Sequence, residues 1–267
     1  MADTRQNNFR AAFDAAGADF TALGRHLWDP IGAAMVAVAA PAPGERVLDA
    51  CCGTGASAIP AARAVGPEGL VDAIDVSGPL LAELGRLATG LPQLHPHQAD
   101  VTTWATADYD VVQCALGIFF FPDMTAGTDH LISRARPGGR VAFTIWRGDA
   151  MAAAGRHLGR AIAGATNTEP PAPRPPHLID RVNQADSFAA WLTERGLREV
   201  EVTTHEKHLT MTPEVAWLVI LGSGFRGALG KLSPELVEDV RERYLASLRA
   251  EGVTELDATT LIGSGRR

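Results

Sequence analysis

Cysteine is scarce in this chain: three in 267 residues, at positions 51, 52 and 114. An odd set with two adjacent members suits neither a disulfide framework nor a four-ligand zinc site. The sequence therefore implies a reducing compartment, no metal, and packing roles for Cys51 and Cys52 as small buried hydrophobes. Runs of basic residues are absent too, and the formal net charge is −7. That excludes the electrostatic footprint of a polyphosphate partner, so nucleic acid is not expected. No uncharged apolar stretch reaches the length of a membrane span, and residues 1–12 are polar and charged without the apolar centre of a secretory leader. The expected location is cytoplasmic. No repeat of solenoid or propeller spacing is visible. What remains, 46% hydrophobic and 21% charged residues, is the composition of a folded domain. A chain of this length can bury one substantial core with an appended cap.

Periodicity divides the chain into three parts. In residues 1–43, Phe9, Ala12, Phe13, Ala16 and Phe20 fall close to one helical stripe, followed by Leu23, Leu27 and Trp28. A second helix is predicted over 31–40, ending at the turn Pro41-Ala42-Pro43-Gly44. This part reads as a helical cap or lid. In residues 44–150, short apolar runs at 46–50, 70–74, 94–98, 109–115 and 140–146 alternate with helical stretches at 56–65, 79–87 and 124–136. Such alternation predicts crossover units and a parallel sheet with helices on both faces. Residues 151–267 open differently. Prolines at 170, 171, 173, 175 and 176 mark an extended connection. Helices are predicted at 187–196, in part of 213–232 and at 234–251, with β-like stretches at 198–209 and 253–262. A late helix and two late strands predict an antiparallel C-terminal edge on a doubly wound α/β sheet.

The informative segment is Val47-Leu48-Asp49-Ala50-Cys51-Cys52-Gly53-Thr54-Gly55. A strand delivers a carboxylate, and a turn with Gly53 and Gly55 then lets backbone approach a ligand at the carboxyl end of the sheet. Asp75 closes the second strand, where a carboxylate can accept both hydroxyls of a ribose. Asp100 follows the third strand. Gly53, Gly55 and Ala58 also fit the dinucleotide pattern G-x-G-x-x-A, with Asp75 about 20 residues on. Asp49 ahead of the glycines, Asp100, and the Arg136-Pro137-Gly138-Gly139 turn favour a cofactor carrying a cationic amino group instead.

On these residues the chain resembles the class I S-adenosylmethionine-dependent methyltransferases. The likeness is to the small-molecule branch that includes ubiquinone and menaquinone biosynthesis enzymes and many bacterial natural-product enzymes. Specific motifs cover residues 44–148. The resemblance implies a Rossmann-like fold and S-adenosylmethionine as cofactor, with S-adenosylhomocysteine as product. It assigns the cofactor to Asp49, Cys51, Gly53, Gly55, Asp75, Val76, Asp100, Val101 and Cys114, where Cys51 stands at a position that is commonly glycine. It places Phe119 and Phe120, after the fourth strand, beside the methyl-transfer cleft, with Phe9, Phe20 and Trp28 of the N-terminal segment folding over it.

His26, next to Trp28, is the candidate acid or base. Arg147 and Arg226 are weaker candidates, Trp217 and Phe225 read first as core, and Asp72 reads as a surface charge. The fourth strand does not end in the Asn/Asp-Pro-Pro-Tyr/Phe signature that resembling enzymes use on nucleobase and glutamine nitrogens. The expected substrate is therefore a small, largely hydrophobic or aromatic molecule. A protein of this fold that holds the cofactor without transferring methyl, including a pericyclic catalyst, is the alternative from a different class.

Overall fold

The computed structural model describes residues 2–169 and 175–267, with side chains from Arg10 onward. Of the five prolines in the predicted connection, those at 170, 171 and 173 lie outside the described residues and those at 175 and 176 lie within them.

Two helices lead, α1 (Ala2–Gly24) and α2 (Trp28–Ala39). The central part runs β1 (Arg46–Ala50), α3 (Ala58–Val65), β2 (Leu70–Asp75), α4 (Gly78–Leu87), β3 (Leu94–Gln98), β4 (Tyr109–Ala115), α5 (Met124–Arg134) and β5 (Ala135–Trp146). The remainder begins with α6 (Ala152–Thr166), α7 (Ile179–Val182), α8 (Ala185–Glu194), β6 (Arg198–His205) and β7 (His208–Thr210). It continues through α9 (Pro213–Leu221), a 3₁₀ turn (Gly224–Ala228), α10 (Pro234–Ala250), β8 (Glu255–Asp257) and β9 (Thr260–Arg266).

Seven strands form one sheet in the order β3-β2-β1-β4-β5-β9-β6. The first five are parallel. β9 runs antiparallel between β5 and the edge strand β6. The inner strands β1, β2 and β4 are buried almost throughout because helices cover both faces, and their mostly apolar sequences each carry one buried polar residue, Asp49, Asp72 and Gln113. One core, with Leu48, Val112 and Phe143, lies under α5 and α8. The other, with Val47, Val71 and Val111, lies under α2, α3 and α4. A third packs Leu23 and Leu27 of the N-terminal part with Leu158 of α6, Val219 of α9 and Tyr244 of α10.

Local chemistry sets the helix starts. Ser77, Asp123, Thr212 and Ser233 each accept a backbone N–H in the first turn of α4, α5, α9 and α10. Proline follows the cap in α9 and α10, where its missing N–H is not needed. The sequence reading differs from the fold in several places. α6 has no counterpart in the sequence reading, although it is amphipathic and buries Ala154, His157, Leu158, Ala161 and Ala163 along one face. α2 starts at Trp28, since Pro30 is tolerated in a first turn. The stretches 198–209 and 253–262 each split, giving β7 and β8 to a separate two-stranded sheet. Asp72 is not a surface charge: it is 7% exposed, with Oδ1 2.8 Å from His97 Nε2 and Oδ2 accepting from Tyr109 Oη at 2.7 Å. Register explains this, because Asp72 sits in the middle of β2 with strands on both sides.

Candidate functional site

The parallel order reverses between β1 and β4: β2 lies beyond one and β5 beyond the other. The chain leaves the carboxyl ends of β1 and β4 in opposite directions, and the crevice this opens is where such sheets bind ligands. A cavity of about 390 Å³ occupies that place, with walls that include residues after β1 (Cys51, Cys52, Gly53) and after β4 (Leu116, Gly117).

One end of the cavity is polar and built from backbone. Asp75, at the end of β2, accepts the Gly53 N–H on Oδ2 and the Ser77 N–H on Oδ1, both at 2.9 Å. Burial pushes its carboxyl up, and the N–H donors of Ser77 and Gly53 oppose that shift. Behind the turn, Asp49 is fully buried. Gln113 Nε2 donates to its Oδ2 at 2.6 Å, while Oδ1 makes no hydrogen bond within 3.5 Å among the described residues, the Ser57 hydroxyl being a more distant neighbour. Desolvation raises this carboxyl to about 7, against the lowering effect of Ser57 and Gln113.

The other end is aromatic. Phe20 stacks on Trp28 with centroids 5.2 Å apart, and Phe13 meets Phe20 edge-on at 6.1 Å. Phe13 also meets Phe120 edge-on at 5.4 Å, Phe119 lies 4.7 Å from Phe120, and Trp28 lies 6.5 Å from Trp146. Phe225, Met151 and Ile31 complete the wall. The two ends meet at Phe20, whose Cζ lies 3.2 Å from where a Cβ on Gly53 would stand. α1 reaches this position through a kink at Gly17 (φ 33°, ψ −110°), and Arg226 Nη1 holds it by an ion pair to Asp19 Oδ2 at 2.7 Å.

Of the predicted residues, Cys51, Gly53, Asp75, Phe20, Trp28, Phe119 and Phe120 come together in the cavity wall. Phe121, the third of the aromatic run, is core at 7% exposure. Asp49, Gly55, Val76, Asp100, Val101 and Cys114 are not among the lining residues. Gly55 faces Leu84 and Ile59. Asp100 caps the short turn Val101–Thr103, accepting the Thr102 N–H at 2.9 Å and its hydroxyl at 2.7 Å. Val101 packs in the core, Cys114 is fully buried, and the Val76 carbonyl accepts Gln98 Nε2 at 3.2 Å. The Phe9 side chain lies outside the described residues.

The structure does not bring His26 to the cavity. Leu27 turns into the core and Trp28 into the wall, which leaves the imidazole half-exposed at the turn with Nε2 3.0 Å from Arg25 Nε. Arg147 pairs with Asp257 at 2.8 Å, and Trp217 packs on Tyr244. Sequence reasoning missed Phe13, Trp146 and Met151 in the wall and ranked Phe225 as core first. The stripe containing Phe13 was visible, but nothing local signals which members of it face a cavity.

Residues 47–139 match a family model described as a methyltransferase domain. Aklanonic acid methyltransferase DauC from Streptomyces sp. (strain C5) is 34% identical over 137 residues, covering 50% of this chain and 62% of that protein. Nocamycin O-methyltransferase from Saccharothrix syringae is 29% identical over 136 residues, 49% of each chain. The chain thus spans about half to three fifths of the length of these curated relatives. Among solved structures, magnesium protoporphyrin IX methyltransferase from Synechocystis PCC 6803 superposes with a TM-score of 0.56 at 19% identity, covering 76% of this chain and 93% of that one. The glycines that fit a dinucleotide pattern lie inside the matched methyltransferase segment, which disfavours the nicotinamide reading. The strand order, the cavity at its reversal and the matched segment agree: residues 47–139 are similar to a methyltransferase domain and stand in a sheet of the fold that solved methyltransferases share.

Proposed function

We propose that the chain moves a methyl group from S-adenosylmethionine to a small, largely hydrophobic or aromatic metabolite. One observation carries this reading: a single cavity joins a carboxylate and glycine-turn end to an aromatic end, at the reversal point of the sheet. Donor and acceptor subsites must adjoin in this way for direct transfer.

The residues present fit the cofactor. Each Asp75 oxygen already takes one N–H and retains acceptor capacity for a ribose hydroxyl. Asp49 keeps a buried oxygen with no hydrogen-bond partner among the described residues, and a cationic amino group brought beside it would favour loss of the proton that burial holds on its carboxyl. Val76, Asp100 and Val101 follow the next two strands, β2 and β3, outside the wall of the cavity, and on that place alone are assigned to the adenine side. When bound, the sulfonium supplies a methyl group already activated for attack.

The protein's share is positioning and exclusion of water. Phe20, Trp28, Phe119 and Phe120 offer flat apolar faces that hold a planar acceptor in one orientation, and orientation of that kind is worth several kcal/mol, on the order of 7 to 11 in the best intramolecular cases. The apolar wall also strips water from the attacking atom. α1 serves as the lid of this arrangement, its Phe13 and Phe20 forming the roof. The relatives named for aklanonic acid and nocamycin support an organic metabolite as acceptor.

Incubation with S-adenosylmethionine labelled in the methyl group and a panel of aromatic and polyketide-like acids, phenols and amines tests the reading. It expects label in one acceptor class and stoichiometric S-adenosylhomocysteine. Cofactor binding with no transfer to any acceptor would contradict methyl transfer and leave a cofactor-holding protein of this fold.

A further inference from the structure

We propose that Cys51 and Cys114 are an oxidation site, a thiol pair that closes to a reversible disulfide in the wall of the cavity and weakens cofactor binding when it does. The second half of this statement rests on the function proposed above; the first half stands on geometry alone.

β1 and β4 are neighbours, and Ala50 is the register partner of Cys114. The Cα atoms of Ala50 and Cys114 are therefore about one strand spacing apart, roughly 4.8 Å, and Cys51 is the residue that follows Ala50. Cys51 adopts φ 57°, a left-handed conformation that residues with a Cβ rarely take. Its side chain converges with that of Cys114 on the space above Gly117. A Cβ on Gly117 would stand 2.6 Å from Cys114 Sγ, 2.6 Å from Cys51 Cβ and 2.8 Å from Cys51 Sγ. Glycine at 117 thus leaves open the volume in which the two sulfurs meet.

Cys52 is excluded from the pair by its surroundings. It packs with the core under α2, α3 and α4, and its Sγ lies 3.9 Å from the Gly53 carbonyl. Cys51 packs against the core that contains Cys114. Cys51 borders the cavity, whereas Cys114 is fully buried, so only Cys51 meets a reagent from outside and only Cys114 resolves it. Contact with the Cys114 thiol, and then burial, hold the Cys51 thiol above the ordinary thiol range, which makes it slow to react and leaves small neutral oxidants as the effective ones.

The oxidant is hydrogen peroxide. One of its oxygens transfers to Cys51 Sγ, giving a sulfenic acid and water; Cys114 Sγ then attacks that sulfur and expels the oxygen as a second water. Two thiols lose two electrons and the peroxide gains them. The resulting bond draws Cys51 toward β4 and shifts the turn whose Gly53 N–H orients Asp75.

The test uses the full chain, reduced and then treated with hydrogen peroxide. Non-reducing peptide mapping and a thiol titre are combined with calorimetric titration of S-adenosylhomocysteine. The expected result is a linked Cys51 and Cys114 peptide pair, a fall from three free thiols to one, and an affinity at least tenfold lower that dithiothreitol restores. Three retained thiols, a Cys51 to Cys52 link, a link between chains, or an oxidised pair with unchanged affinity would each overturn the proposal. In Cys114→Ala the ratio of affinities before and after peroxide should stay near one; a tenfold drop there would show that no cross-link is needed. Failure of the reduced protein to bind S-adenosylhomocysteine would sink the cofactor reading, while the peptide map would still judge the disulfide.

Discussion

The polar and aromatic ends of the cavity are assembled in opposite ways. Cys51, Cys52 and Gly53 follow a single strand, and Asp75 reaches them across one ladder through backbone hydrogen bonds of 2.9 Å. The aromatic end gathers Phe13, Trp28, Phe119, Trp146 and Phe225 from five separate stretches of chain. Geometry at the first end is fixed by the parallel sheet; at the second it is fixed by side chains packing on one another. The first should therefore tolerate little change, and the second should be where acceptor preference is set and can be reset.

The comparison can be broken most sharply through Asp49. Its folded carboxyl sits at about 7, above the ordinary 3.8, so the folded chain holds a proton that the unfolded chain has released. Stability should be greatest below about pH 4 with respect to this group and be lost as pH rises toward 7, by an amount on the order of a few kcal/mol. Asp49→Asn should flatten that part of the profile, measured by urea denaturation between pH 4 and 8; an unchanged slope would remove Asp49 as its source. Next in size, Asp75→Ala should weaken S-adenosylhomocysteine binding by about 1.5 to 3 kcal/mol, because it removes a charged acceptor. Calorimetry showing equal affinity would contradict the ribose assignment.

At the aromatic end, Phe120→Leu should cost about 0.5 to 1.5 kcal/mol of stability through its lost contacts with Phe13 and Phe119. Cofactor affinity should stay the same; a loss as large as that of Asp75→Ala would erase the distinction between the two ends. Smallest of all, Asp19→Ala removes a partly exposed ion pair to Arg226, and its effect on global stability should not exceed about 1 kcal/mol. Amide exchange in residues 10–24 should nonetheless quicken, and should slow on adding S-adenosylhomocysteine if α1 is a lid; equal exchange in both states would argue for a fixed roof.

The same contrast governs what could be read before the fold was known. β1 and β4 fall at the residues their largely apolar runs predict, β3 falls at its predicted residues although Leu94 alone of the five is buried, and the acids at 49, 75 and 100 follow from strand ends. A short apolar run between turns is a local signal. Which aromatics share a cavity is not, because Phe13, Trp146 and Phe225 meet only through tertiary packing. His26 failed for the same reason: its neighbour Trp28 faces the cavity, and adjacent residues in a turn face different ways. Asp72 looked like a surface charge because nothing nearby in sequence announces His97 and Tyr109 as its partners.

Titrating the purified chain calorimetrically with S-adenosylhomocysteine and, separately, with a nicotinamide dinucleotide tests the central claim most directly. Saturable binding of the first at one site per chain, with no heat from the second, is the predicted outcome. Tight binding of the dinucleotide together with indifference to the adenosyl thioether would contradict the account at its base.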